Sequence, residues 1–370
     1  MRNLLSIFLF ACLGLVFSPV SLAQDQSCLS CHDINLSDWA ATPHALAGLT
    51  CQTCHPNPHD GSSPVAESLY QSETCAPCHM KEIAGWQLSP HNVPLPYTYE
   101  EIDDARIQEC AKCHNTRGYI QVLRSGQDFN TTWAQMPSSE PAGITCSTCH
   151  DPHSASHAAQ LRLPKAELCS SCHGIKWQNL MLTGQSHDEY STEDYTKVRP
   201  TNHNSKDRCV MCHMAPAASP GVGGHTLLME SAKGKLNTAA CVPCHGDVVD
   251  YNINGQQTAV QSWLDHLESY LKEQNGGELP GFQPGNCNQC HRGGTLPFKN
   301  DPTGKLDKAY QVYLFVKNDA SLGVHNSDYA LKLLQDAYRY AGGTMPMEVS
   351  RPDSSIEDDI CLSCKWGGRS

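Results

Sequence analysis

The sequence predicts a mainly α-helical and irregular fold with almost no β-strand, and three observations predict it. A pentapeptide, Cys-x-x-Cys-His, recurs nine times, beginning at Cys28, Cys51, Cys75, Cys110, Cys146, Cys169, Cys209, Cys241 and Cys287. Between the copies run turn-rich spacers such as Pro56-Asn57-Pro58, Asp60-Gly61, Pro94-Leu95-Pro96 and Pro220-Gly221-Val222-Gly223-Gly224, with little regular periodicity. Towards the C-terminus apolar residues return at helical spacing.

The pentapeptide has a chemical reason. Two cysteines three positions apart present both thiols to one edge of a porphyrin, where they form thioethers with its vinyl groups, and the following histidine lies under the iron. The attachment pairs are Cys28 and Cys31, Cys51 and Cys54, Cys75 and Cys78, Cys110 and Cys113, Cys146 and Cys149, Cys169 and Cys172, Cys209 and Cys212, Cys241 and Cys244, and Cys287 and Cys290. The proximal ligands are then His32, His55, His79, His114, His150, His173, His213, His245 and His291. Cysteine pairs at this spacing also hold zinc, but zinc does not require a histidine after every second cysteine. A disulfide framework leaves the nine histidines unexplained. The chain therefore reads as a multihaem cytochrome c carrying nine haems c, each motif opening or lying on a short helical turn.

Composition agrees with a core made largely of porphyrin. Aromatic residues make up 7% of the 370, while glycine and proline number 27 and 23. Such a chain needs apolar surface from elsewhere, so removing haem should unfold it.

Residues 1–23 read as a secretory signal peptide, with Arg2 in a short basic head, an apolar run from Leu4 to Phe17 and Ser21-Leu22-Ala23 as the cleavage site. Cys12 within that run is an alternative lipoprotein acylation site. Export to the periplasm or beyond fits thioether attachment, which takes place outside the cytoplasmic membrane. No other apolar stretch is long enough to span a bilayer. The formal charge of −12 argues against nucleic acid and anionic lipid and for cationic redox partner proteins or extracellular acceptors.

Residues 24–255 form a loop-rich multihaem region with eight of the pentapeptides, and residues 256–370 a helical region with the ninth. In 256–274, Val260, Trp263, Leu264, Leu267 and Leu271 mark one apolar face. Residues 306–316 and 327–341 repeat the pattern, with Asn326-Ser327-Asp328 as a start and Gly342-Gly343 as a stop.

Nineteen histidines include ten outside the motifs: His44, His59, His91, His153, His157, His187, His203, His225, His266 and His325. That supply suits bis-histidine, low-spin haems, with a solvated or hydrogen-bonded side chain as the alternative for any one of them. Trp39-Ala-Ala-Thr-Pro43-His44 and Trp86-Gln-Leu-Ser-Pro90-His91 are near-copies, which favours both histidines as ligands. His203 precedes and His225 follows the Cys209 motif, whereas His59 and His157 crowd other candidates. Met80 and Met214 follow motif histidines and read as packing against the ring. Since no spare histidine separates the Cys110 and Cys146 motifs, His153 or His157 is expected to reach back to the Cys110 haem. Closely spaced motifs place haems within tunnelling range, making a wire or a multi-electron store.

Cys361-Leu-Ser-Cys364-Lys365 keeps the thioether spacing with lysine in place of histidine. It reads as a tenth haem with Lys365 as proximal ligand, or else as a degenerate motif or a disulfide. This motif resembles that of the catalytic haem in ammonia-forming cytochrome c nitrite reductases and their octahaem relatives. The stretch from Asn318 through His325 to Leu334 is similar to the helical tail of that superfamily, which implies a ligand role for His325. Earlier residues resemble the doubled Cys-x-x-Cys-His proteins and the multihaem cytochromes of extracellular electron transfer. In the nitrite reductases the lysine motif comes early and substrate-facing residues follow it; here only five residues follow Lys365, and Arg351 precedes the motif. No catalytic residue is assigned.

The function read from the sequence is a secreted electron carrier with closely packed, mostly bis-histidine haems in anaerobic or extracellular respiration. The rivals are a nitrite, hydroxylamine or sulfur-oxyanion reductase with a lysine-ligated haem, and a self-assembling haem-filament subunit.

Overall fold

The structure is a computed structural model. It describes residue 32 and residues 34–55, 72–93, 111–126, 143–174, 177–185, 201, 203–204, 208–217, 221–281 and 295–345. Among these residues helices, turns and coil dominate, and β structure amounts to isolated bridges such as His150 with Leu161.

In the loop-rich region each described motif makes about one helical turn. Cys51–Cys54 and Cys146–Cys149 are four-residue helices, and Lys165–His173, Arg208–His213 and Val242–His245 carry three more motifs. Residues three apart lie on the same face of a turn, which is how both thiols come to one side. Threonine closes two of these turns: the Thr50 N–H donates to Thr53 Oγ1 at 3.1 Å, and the Thr145 N–H to Thr148 Oγ1 at 3.2 Å.

Polar contacts stitch the turns together. The buried Thr116 hydroxyl lies 2.6 Å from the Gly143 carbonyl, 3.0 Å from Thr145 Oγ1 and 2.8 Å from Thr148 Oγ1, tying the Cys110 segment to the Cys146 turn. Trp86 Nε1 donates to the Ile144 carbonyl at 2.9 Å, and the Ala155 N–H donates to Asp38 at 2.8 Å. Gly118 is demanded by close approach, since a Cβ there would lie 2.5 Å from the Ala111 carbonyl oxygen.

The helical region is built differently. Gln256–Gln274, Lys305–Asp319 and Ser327–Tyr340 pack on one another around Val260, Leu267, Leu271, Val312, Phe315 and Leu334, all essentially inaccessible to solvent. The first helix buries the five residues that its periodicity marks, Val260, Trp263, Leu264, Leu267 and Leu271. Asn326 caps the third, accepting from the Tyr329 N–H at 3.2 Å. The middle helix runs past residues 306–316 at both ends, and at its start Asp301 accepts from the amides of Lys305, Leu306 and Asp307 at 3.1, 2.7 and 3.0 Å. One helix from before residue 256, Trp177–Thr183, joins this unit and places Met181 in its core. No helix among the described residues is long and apolar enough to cross a membrane.

Candidate haem sites

The described motif cysteines are Cys51, Cys54, Cys75, Cys78, Cys113, Cys146, Cys149, Cys169, Cys172, Cys209, Cys212, Cys241 and Cys244, and no disulfide joins any two of them. Cys28, Cys31, Cys110, Cys287, Cys290, Cys361, Cys364, His59, His187, His291 and Lys365 lie outside the described residues, as do residues 1–23.

The spare histidines meet motif histidines in pairs. His44 faces His79 with ring centroids 6.0 Å apart, His153 faces His55 at 6.1 Å, and His91 faces His173 at 6.2 Å. His225 faces His150 at 6.3 Å, His203 faces His245 at 6.2 Å, and His325 faces His213 at 6.4 Å. These distances are longer than face-to-face van der Waals contact. They fit one metal between each pair: a metal–imidazole bond of about 2 Å on either side, with each ring centre about 1 Å further out, gives about 6 Å. Among the described residues no group of three or more His, Cys, Asp or Glu side chains is arranged to hold a bare metal ion.

Hydrogen bonds at Nδ1 orient several rings. Nδ1–H of His150 donates to the Ala159 carbonyl at 2.8 Å, that of His213 to Leu227 at 2.9 Å and that of His203 to Val324 at 2.7 Å. Such bonds fix the tautomer and leave Nε2 for a metal. Ala159 and Leu227 are non-glycine residues at φ of 56° and 57°, so the backbone accepts local strain at two carbonyls that hold motif histidines. His325 has a charged partner, with Nδ1 2.6 Å from Asp319 Oδ1. Nδ1 of His153 is 3.5 Å from Asp151, whose other oxygen accepts from Arg162 at 2.8 Å.

Burial sets the protonation state of most of these rings. It pushes His213 and His150 below the ordinary histidine pKa, and it does the same for His91 with help from His114. Burial also lowers His44, His55 and His225, assisted by the facing histidines His79, His153 and His150. Neutral imidazole is the form that ligates. At His325 burial pulls the same way, but the Asp319 hydrogen bond and charge reverse it and the pKa rises.

Two described candidates sit otherwise. His266 lies exposed on the helical unit, its ring 4.7 Å from that of Tyr338 and 5.6 Å from that of Trp263. His157 stands before the short turn Ala158–Gln160. The expectation that His153 or His157 reaches back to the Cys110 motif meets a different arrangement at His153, whose ring faces His55 of the Cys51 motif.

The motif cysteines of different sites also approach one another. Cys75 shares a hydrogen bond with Cys146, Cys169 with Cys209, and Cys172 with Cys113. Cys54 is within electrostatic reach of Cys78, Cys149 of Cys169 and Cys172, and Cys212 of Cys241 and Cys244. The motifs at Cys51, Cys75, Cys146, Cys169, Cys209 and Cys241 thus adjoin in that order, and the Cys110 motif abuts Cys172 from the side.

Comparison with known proteins meets this geometry. The family model described as doubled CXXCH motif matches residues 140–176, and that of cytochrome c554 and c-prime matches residues 74–151. The chain is 28% identical over 235 residues to multihaem cytochrome MtrA of Shewanella baltica, covering 61% of this chain and 57% of that protein. The chain is a multihaem cytochrome c. It binds haem c, for which its Cys-x-x-Cys-His motifs supply the attachment sites. An undecahaem cytochrome from the S-layer of Carboxydothermus ferrireducens shares the fold of this cytochrome at a TM-score of 0.51 and 22% identity, over 79% of this chain and 50% of that one. The outer cell wall cytochrome OcwA aligns at 0.49 and 23% identity, over 70% and 50%. The chain spans about half the length of these proteins.

The facing pairs and their Nδ1 partners are what sequence reasoning missed. Asp319 stood within the stretch likened to the nitrite reductase tail, and an acidic residue six positions before a candidate ligand was the available signal.

Proposed function

We propose that this cytochrome is an exported electron carrier whose bis-histidine sites form a continuous row. The observation that carries the reading is the set of six opposed histidine pairs at 6.0–6.4 Å. When bound, haem c supplies a one-electron couple at each site.

In this reading His79 and His44 ligate at the Cys75 site, His55 and His153 at Cys51, and His173 and His91 at Cys169. His150 and His225 serve Cys146, His213 and His325 serve Cys209, and His245 and His203 serve Cys241. Filling both axial positions leaves no iron open to substrate, so the residues favour outer-sphere transfer. His32, His114 and His291 hold three further sites and Lys365 a tenth, with His59, His157, His187 and His266 as their remaining candidates. The cysteine contacts support a row from Cys51 to Cys241, with the Cys110 site as a side branch. The signal-like residues 1–23 and the need for thioether attachment outside the cytoplasm support a periplasmic or extracellular location. The charge of −12 supports cationic redox partners or an extracellular acceptor.

Intact mass and EPR on one ferric sample test this. The mass should correspond to nine or ten haems, and the spectrum should be almost wholly low-spin. Ring planes refine the expectation, because parallel imidazoles act on the same iron d orbital and perpendicular ones on different orbitals. The pairs His44/His79 at 84° and His203/His245 at 70° should give near-axial, large-g signals, and His55/His153 at 12° a rhombic one. A substantial high-spin signal that shifts on adding nitrite would replace the carrier with a reductase.

A further inference from the structure

We infer that Asp319 is a positioning residue that gives His325 imidazolate character and so lowers the reduction potential of the Cys209 site. The inference rests on the reading of His325 as that site's distal ligand.

Asp319 is buried to 1% side-chain exposure at the end of the Lys305–Asp319 helix, and its Oδ1 lies 2.6 Å from His325 Nδ1. Its other oxygen accepts from the Ser321 hydroxyl, and Ser321 Oγ also accepts from the His325 N–H at 3.2 Å. Ligand, carboxylate and hydroxyl therefore form one closed set within seven residues. A carboxylate bonded to a ligating imidazole draws its Nδ1 proton away and raises the basicity of Nε2. With Asp319 buried, its negative charge is screened less than a surface carboxylate's would be. Both effects favour the ferric state, which carries one more positive charge than the ferrous state.

The other described pairs supply the contrast. His150, His213 and His203 donate to backbone carbonyls, which are neutral. Asp151 is 3.5 Å from His153, is 28% exposed and is partly neutralised by Arg162. Asp319 alone among these partners combines charge, burial and a short bond. Its site lies between those of Cys169 and Cys241, so it sets a step in the row where the loop-rich region meets the helical unit.

The test is potentiometric titration of the holoprotein, the electrode supplying one electron to each iron, with intact mass to confirm the haem count. Asp319→Asn keeps shape and hydrogen bond but removes charge, and should move one haem equivalent to higher potential and change one low-spin EPR component. Ser321→Ala frees the carboxylate to bind His325 more strongly and should move the same component to lower potential; it decides alone if the Asp319 variant does not fold. Asp151→Asn should leave the curve nearly unchanged. Titrations of Asp319→Asn and Ser321→Ala that superimpose on the wild type would overturn the inference. His325→Ala separates the two layers: a new high-spin signal there, with Asp319→Asn silent, leaves ligation standing and removes the tuning, whereas a silent His325→Ala removes the ligand reading itself.

Discussion

The helical unit and the loop-rich region of this cytochrome solve the same problem with different materials. The helical unit covers Val260, Leu267, Leu271, Phe315, Leu333 and Leu334 with one another, as an ordinary globular domain does. Before residue 256, apart from Met181 in the helical unit's core, the described buried apolar residues are few, chiefly Tyr119, Ile120, Val122, Leu182 and Val222. There, Leu46, Met80, Leu88 and Val93 stay exposed beside the motif turns. One region is stable through its side chains, and the other depends on what its side chains bind.

Haem-free chain, made by blocking thioether attachment, breaks the comparison most severely. Limited proteolysis should cut rapidly throughout residues 32–174 while leaving fragments from the helical unit, and far-ultraviolet circular dichroism should retain part of its helical signal. Equal protection of both regions would end the distinction. Leu334→Ala comes next, since it opens a cavity in a side chain that is fully buried. It should cost about 2–5 kcal/mol in chemical denaturation of the holoprotein, with the haem spectrum unchanged until unfolding. Thr116→Val has the smaller effect, about 1–3 kcal/mol, because the partners of the hydroxyl lose a buried hydrogen bond. Here the spectrum should change as well, since those partners, Thr145 and Thr148, frame the Cys146 turn.

What the sequence disclosed divides along the same line. Periodicity exposed the Gln256–Gln274 helix and its buried face because the information is local: each apolar residue is three or four positions from the next. The motif turns were legible for the same reason. Pairing was not, because the contacts that arrange the sites link distant segments. His203 Nδ1, for instance, bonds to Val324 across 121 positions. His153 shows the limit well. The lack of a spare histidine between the Cys110 and Cys146 motifs pointed it towards the Cys110 motif, while a tie between Asp38 and Ala155 holds its loop near Trp39 and His55. The strained carbonyls of Ala159 and Leu227 left no mark at all, since neither residue type favours a left-handed backbone.

The opposed histidine pairs have a consequence for the unfolded chain. Bridged through a metal, His213 and His325 close a loop of roughly a hundred residues, and a covalent cross-link of that span removes about 4.7 kcal/mol of chain entropy from the denatured ensemble. Axial bonds are reversible and the loops overlap, so the contributions do not add in full. Even so, a chain pinned at successive points has fewer disordered states to lose on folding, and it can dispense with much of the oily interior that a free chain of 370 residues would need. In the proposed reading, the ligands act as staples as well as conductors.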